Sequence, residues 1–451
     1  MIQKSSKKSA FKAGMYLLET LTAGMYNNPM SIYREYIQNA ADSIDFALRA
    51  TKSKNKKIYI DLDPKEKSIK IYDEGFGISA DHAEEILSSI GLSSKKEQRL
   101  RGFRGIGRLG GLAFCERAIF RTKSKGEGIE SIQEWDCNAL RNFVSGTQKK
   151  TSSLKQLFDN CTYFYHENGK RKGISYFEVK LEGVQSFRNH LMDIKKLHDF
   201  ISFTAPVPFN YNELSFAKDI DKFLSSKINN FSHHEIILNG DQVYKPYSDM
   251  VKLTSKGHDY IVGVEFFEIR AKGSVVAYGW YGKRKDLLGA ITKGDLTSGI
   301  RVRVGDIQIG DNHLLDSCFR ENRFNSYMIG EIHVDSPELI PNSRRDNFID
   351  NEIKEIFYNE IERKLGIPLS KEIRYQSGVR AKNNTLADGK VEGSCHSKRE
   401  DSKVSKKMGK TKTDEVNFDD NPSKKNTELL KIFKKRCKDC HIFQDILKEN
   451  I

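Results

Sequence analysis

One helical stretch constrains this chain more than any other: Tyr33-Arg34-Glu35-Tyr36-Ile37-Gln38-Asn39-Ala40-Ala41-Asp42-Ser43. At helical periodicity Glu35, Asn39 and Asp42 stand at i, i+4 and i+7 and share one face. Ile32, Tyr36, Ile37, Ala40, Ala41 and Ile44 make most of the remainder apolar. A helix so apolar is buried nearly all round. A buried line of carboxylate, amide and carboxylate costs several kcal/mol unless each group meets a partner. Capped or water-bridged core groups would satisfy that requirement. So would a bound ligand, and the rest of the chain has to decide between them.

Two glycine motifs follow. Residues 58–62 and 68–72 alternate like strands joined by the turn Asp63-Pro64-Lys65. The second strand runs into Asp73-Glu74-Gly75-Phe76-Gly77-Ile78. An aspartate at a strand end before G-x-G lets backbone approach a flat ligand while the carboxylate accepts from an exocyclic amine. An ordinary glycine turn has the same pattern. A short helix at 80–90 and a polar loop at 93–99 lead to Gly102-Phe103-Arg104-Gly105-Ile106-Gly107, ahead of an apolar helical stretch. Free N–H groups at such a helix start form an anion site. No Gly-Lys-Ser/Thr follows, so this is not a P-loop. The long helix before the strands argues against a dinucleotide-binding βαβ unit.

The order of motifs, helical E-x3-N-x2-D, strand-end D-x-G-x-G, then G-x2-G-x-G, resembles the Bergerat-type ATP-binding fold of the GHKL superfamily. That group includes ninety-kilodalton heat-shock chaperones, type II topoisomerase ATPase subunits, MutL-type repair proteins, sensor histidine kinases and MORC ATPases. The chain is most similar to the chaperone. Leu17-Leu18-Glu19-Thr20-Leu21 through Tyr26, Tyr33-Arg34-Glu35 and Asn39-Ala40-Ala41-Asp42 match its opening helices without a gap, and Gly102, Gly105 and Gly107 match its lid glycines. Ile90-Gly91-Leu92-Ser93-Ser94-Lys95 is closer to MORC-type sequences. Val334-Asp335-Ser336, then Glu338-Leu339 and Asn342-Ser343-Arg344-Arg345, resemble the chaperone's middle domain, where an arginine meets the terminal phosphate of the neighbouring site. Arg345 takes that position, with Arg344 as the fallback. One departure is clear: the threonine that usually follows the late-strand glycine is Ile174 here, with Ser175 next.

This resemblance implies an α+β architecture. A Bergerat-type two-layer α/β sandwich would cover residues 1–200 and an α/β, transducer-like middle domain 201–376, with the boundary near Pro206 and Pro208. Composition adds a flexible polar linker over 377–425 and a basic amphipathic helix over 426–451. The implied activity is slow, Mg²⁺-dependent ATP hydrolysis. Glu35 would be the general base, Asn39 a Mg²⁺ ligand, and Asp42 a group ordering the helix face. Asp73 would read adenine, with Gly75, Gly77 and Ile78 close to the base. Gly102, Gly105, Ile106 and Gly107 would cradle the phosphates, Lys95 would reach them from the lid, and Arg345 would stabilise developing charge. The implied partners are a protein client or partner subunit, engaged through an ATP-dependent homodimer.

Composition tempers the functional reading. The 451 residues are 38% hydrophobic and 30% charged, and no run approaches the length of a membrane span. The polar first dozen residues lack a secretory signal, and the odd count of seven cysteines argues against a disulfide framework, so a reducing, cytoplasmic setting is expected. The net charge of +14 permits contact with nucleic acid through the basic tail. The competing reading is therefore a MORC-like or bacterial defence ATPase acting on nucleic acid or a partner bound to it. Cys437-Lys438-Asp439-Cys440-His441 spells a haem-attachment pattern, but without an export signal two free thiols on a helix is the preferred reading.

Overall fold

The computed structural model describes residues 28–51, 56–89, 107–145, 154–185, 188–229, 231–255, 257–292, 294–295 and 297–388. The expected helix at 10–23, the lid residues Lys95, Gly102, Gly105 and Ile106, most of the linker and the tail helix lie outside them.

The first half of the described chain runs α1 (Ser31–Thr51), β1 (Lys57–Asp63), β2 (Ser68–Asp73), α2 (Ala80–Ser88), a 3-10 helix (Gly107–Ala113), β3 (Arg117–Lys123) and β4 (Glu130–Asp136). It continues through α3 (Cys137–Ser145), α4 (Leu154–Cys161), β5 (Thr162–Glu167), β6 (Tyr176–Glu182) and α5 (Ile194–Thr204). The second half contains α6 (Ala217–Lys227), β7 (Glu235–Leu238), β8 (Asp241–Val243), β9 (Met250–Lys252), β10 (His258–Ala271), β11 (Ser274–Arg284), β12 (Gly299–Val304), β13 (Ile307–Ile309) and β14 (Ile329–Val334). It ends with α7 (Glu352–Ile361), a π-helical turn (Glu362–Gly366) and α8 (Ile367–Asp388).

The mixture of helices with two separate sheets is the α+β class expected from the sequence. The first sheet has eight strands in the order β5-β4-β3-β6-β2-β1-β7-β8, antiparallel except where β7 runs parallel to β1. The β1–β2 hairpin alternates buried and half-buried residues, so Ile58, Ile60, Leu62, Ile69 and Ile71 face one core. Onto that face α1 lays Ile32, Tyr33, Tyr36, Ile37, Ala40, Ala41 and Ile44, all almost fully buried. Each large side chain among them contributes about 1.5–3 kcal/mol. The Tyr33 hydroxyl, sealed from water, donates to the Leu191 carbonyl at 2.6 Å, and burial pushes its pKa far up. The segment between β3 and β6 contributes β4 and β5 to the far end of the sheet.

The second sheet is β13-β12-β14-β11-β10-β9, with β12 and β14 parallel. One face carries Ile269, Ile300 and Ile332, covered by Phe357 of α7, Leu365 of the π-helical turn and Leu369 of α8. The other carries Val251, Trp280 and Ile329 beneath α6, which contributes Ala217, Ile220 and Leu224. Two details depart from the sequence reading. The strand-turn-strand at 235–243 lies on the first sheet, and α8 continues to Asp388, past the expected boundary at 376. No helix among the described residues is long and apolar enough to cross a membrane.

Candidate functional site

The polar line of α1 is largely enclosed: Asp42 is 2% exposed, the Glu35 side chain 16%, and Asn39 is half-buried. Two guanidiniums flank one carboxylate oxygen. The Nε atoms of Arg34 and Arg345 each stand 3.7 Å from Glu35 Oε1. On its other side Glu35 meets Gly107, where an added Cβ would lie 2.5 Å from Oε2. The 3-10 helix that Gly107 opens is tied to α1 by the next residue along. The Tyr36 hydroxyl donates to the Arg108 carbonyl at 3.0 Å and accepts from the Gly111 N–H at 3.1 Å. The sequence order Glu35-Tyr36 thus presents a carboxylate and anchors the loop end that closes on it.

Asp73 ends β2 and is 4% exposed. Its Oδ1 accepts the Gly75 N–H at 2.9 Å, which turns the chain sharply after the strand. A Cβ at Gly75 would collide with Ser43 Oγ and with Asp73 itself. Gly77 has φ +69° and lies directly on the Lys123 carbonyl, so a side chain there has neither the conformation nor the space. Ile78 donates its N–H to Thr122 Oγ1 at 2.8 Å. Ser175 Oγ donates to the Gly75 carbonyl at 2.7 Å, so the residue beside the family departure does hold the turn. Ser43, on α1 one residue past Asp42, accepts the Phe76 N–H at 3.0 Å and locks the same turn to the helix.

Arg345 comes from the far end of the sequence. Its turn is closed by the Asn342 N–H on the Asn347 carbonyl at 2.8 Å and by Asn342 Nδ2 on Asp346 Oδ1 at 2.6 Å. Arg345 has φ +57° and is 5% exposed, and its carbonyl accepts the Gly310 N–H at 2.8 Å. Arg344 is exposed, and its carbonyl accepts from Arg34 Nη2 at 3.2 Å. Of the two arginines it is Arg345 whose guanidinium stands at Glu35. Glu35, Gly107 and Arg345 therefore meet at one place, with Asn39 and Asp42 further along the same helix; Asp73, Gly75, Gly77 and Ile78 form a turn locked to that helix through Ser43. Sequence reasoning missed Arg34, Tyr36, Ser43 and Thr122. The first three lie within the opening helix motif, where position alone does not separate a site contact from a core residue.

The donor chemistry suits a magnesium nucleotide. Mg²⁺ takes few protein ligands and prefers hard oxygens, and the half-buried Asn39 amide, one helical turn from Glu35, would supply one. Around Asp73, Gly75 and Gly77 let the turn pack directly on Ser43 and on the Lys123 carbonyl, which already fill the space a Cβ would take.

A second polar cluster, without a motif, is buried in the second sheet. Lys245 donates to Asp306 at 3.0 Å and to Glu331 at 3.2 Å, Arg303 Nε donates to Glu331 at 2.6 Å, and His233 bridges Asp306 at 2.9 Å and Asp221 at 2.7 Å. Arg303 also donates to the Phe203 carbonyl at the end of α5, 2.7 Å away. Burial favours the neutral acids, but Arg303 and Lys245 together hold Asp306 and Glu331 well below the ordinary carboxylate range. Asp306, Glu331 and His333 offer ligand atoms within 4.8 Å of one another. The Lys245 ammonium, paired to both carboxylates, already fills the cation's role.

The eight-stranded sheet beneath α1 and the Asp73–Gly77 turn set against that helix fall largely within a stretch that sequence comparison assigns to an ATPase family. Residues 34–167 match the family described as histidine kinase-, DNA gyrase B- and HSP90-like ATPases, so this part of the chain is a GHKL-type ATPase domain. Among individual proteins, the chain is similar to the chaperone protein HtpG of Coxiella burnetii strain RSA 331, 26% identical over 156 residues, covering 30% of this chain and 25% of the relative. It is also similar to the chaperone protein HtpG of Cupriavidus taiwanensis, 29% identical over 148 residues, covering 28% of this chain and 23% of the relative. The match thus spans about a quarter of the length of these relatives.

Proposed function

We propose that this protein binds and slowly hydrolyses ATP and uses the cycle to remodel a protein client, as an ATP-dependent homodimer in the cytoplasm. Glu35 polarises the attacking water, Asp73 recognises adenine, and Gly75, Gly77 and Ile78 let the base lie against backbone. Gly102, Gly105, Ile106 and Gly107, with Lys95, enclose the phosphates, while Asp42 orders the helix face. Magnesium, held through Asn39, would neutralise phosphate charge. Arg345 meets the terminal phosphate and links its chemistry to the second sheet.

One observation carries this reading: Arg345 and Glu35, from opposite ends of the described chain, stand 3.7 Å apart over Gly107. The similarity to HtpG chaperones supports the client as a protein. The test is ATPase activity of wild type beside Glu35→Ala and Asp73→Asn, with and without double-stranded DNA. Glu35→Ala should bind ATP and lose turnover by roughly 100-fold or more. Asp73→Asn should weaken nucleotide binding about tenfold or more, as a hydrogen bond to a charged group is lost. Full turnover by Glu35→Ala would remove that residue from the mechanism.

The net charge of +14 favours a second reading, an ATPase acting on nucleic acid. Salt-dependent DNA binding that vanishes on removal of residues 378–451 would select it.

A further inference from the structure

We propose that the outer edge of β10, with the aromatic groove beside it, binds an extended polypeptide segment that is apolar at alternate positions and acidic at one end. The strand runs for 14 residues, but β9 covers only His258, Asp259 and Tyr260. Among the described residues no strand lies against the edge from Val262 to Phe267. The Glu268 carbonyl points outward, accepting from Lys364 Nζ at 2.7 Å. By the two-residue repeat of a strand, the backbone groups of Val264 and Phe266 point the same way. Such a row of outward N–H and C=O groups is a template for another strand. A helix has no backbone groups to spare for it.

The groove gives this edge side-chain selectivity. Between α6 and β10 lies a space of about 560 Å³ floored by Phe216, Phe223, Val264 and Phe266. It continues past Phe223 and Phe266 into about 530 Å³ beside Phe267 and Lys364. Phe223 and Phe266 stack at 4.4 Å, and Phe266 is 36% exposed. An added strand would place alternate side chains over these rings. The charge is uneven along the groove. At the Glu268 end, Lys227 at 3.3 Å and Arg270 at 3.1 Å both hold the Glu268 carboxylate, and Lys364 adds a third cation. At the other end Lys222 is matched by Asp219. An acidic residue therefore fits the Glu268 end and sets the direction of the segment. Two copies of β10 paired about a twofold axis would set the cationic end against the neutral one, which offers no such match. This surface would serve the protein client proposed above, yet its binding is independent of ATP hydrolysis.

The test is fluorescence anisotropy on the full chain without nucleotide. The probes are a fluorescein-labelled Ser-Val-Thr-Phe-Thr-Val-Asp peptide, its reversed sequence, and versions with the acid replaced by serine. Saturable binding of one acidic probe is expected. Val264→Pro removes an outward N–H and blocks the edge without touching the β11 ladder, so affinity should fall about tenfold, the worth of one or two hydrogen bonds. Lys364→Glu should weaken the acidic probe several-fold and leave the serine version unchanged. Should Val264→Pro fail to fold, a probe N-methylated at alternate residues asks the same question of wild type, and equal affinity for it overturns the proposal. So does a peptide-free dimer in sedimentation that Val264→Pro dissociates, since that would assign the edge to a second copy.

Discussion

Arg345 holds a left-handed backbone, φ +57°, that costs a residue with a β-carbon about 1–2 kcal/mol. The surrounding turn imposes it: the Asn342–Asp346 side-chain bridge closes the turn, and Gly310 takes the Arg345 carbonyl. Reversing the chain direction at this residue sends Arg345 inward to Glu35 and leaves Arg344 in solvent. Two adjacent arginines in a row give no sign of that division, which is why sequence could only rank them. Arg345→Ala is expected to lower turnover about 100-fold with nucleotide affinity close to wild type, while Arg344→Ala changes little; steady-state ATPase rates and calorimetric titration decide. If hydrolysis instead stops in Arg344→Ala alone, the roles are exchanged. Gly107→Ala makes a sharper demand, because its methyl would sit 2.5 Å from Glu35 Oε2. The carboxylate has to move, so turnover should drop more than binding, visible as a fall in kcat at nearly constant KM.

At the scale of elements, helix α1 and the β1–β2 hairpin were legible because their apolar periods, 3.6 and 2, are strong and local. The buried charges of the second sheet were not. Lys245 finds Asp306 and Glu331 at sequence separations of 61 and 86, and nothing near any of the three announces the others. Removing one partner leaves the rest charged and buried. Lys245→Met should therefore destabilise the protein by about 3–5 kcal/mol in urea unfolding. The cluster also has a pH signature. Burial opposes protonation of His233, but hydrogen bonds to Asp221 and Asp306 outweigh it and raise its pKa. Its contribution is complete below the ordinary histidine value of about 6.5 and fades as pH rises through the higher folded one. Asp306 and Glu331 act in the opposite sense: their contribution is complete above about pH 4 and lost as pH falls towards their depressed values. Urea midpoints should peak between these limits. A flat profile from pH 4 to 8 would count against His233 as a charged bridge.

For the whole molecule, the two-sheet α+β plan could be read from the sequence, but the sharing of chain between sheets could not. After α5 the chain crosses to the second sheet to lay down α6, then returns to place β7 and β8 on the first. The return is held by Asn239, whose side chain accepts the Leu62 N–H at 2.8 Å and donates to the Leu62 carbonyl at 3.1 Å. Parallel pairing of β7 with β1 joins segments so distant that alternation within either one cannot report it. A fragment ending at residue 204 would leave the β1 edge bare and is expected to sediment as aggregates, where residues 1–388 sediment as a single species.

The returning hairpin has an evolutionary consequence. Many multidomain proteins diversify by trading whole cassettes at a single crossover, because one cut leaves both halves complete. Here a cut before α6 strips the first sheet of two strands, and a cut after β8 strips the second sheet of its covering helix. Exchange at either point should therefore yield a chain with one sheet incompletely paired or covered, and only a double exchange that carries α6, β7 and β8 with their own sheets keeps both intact.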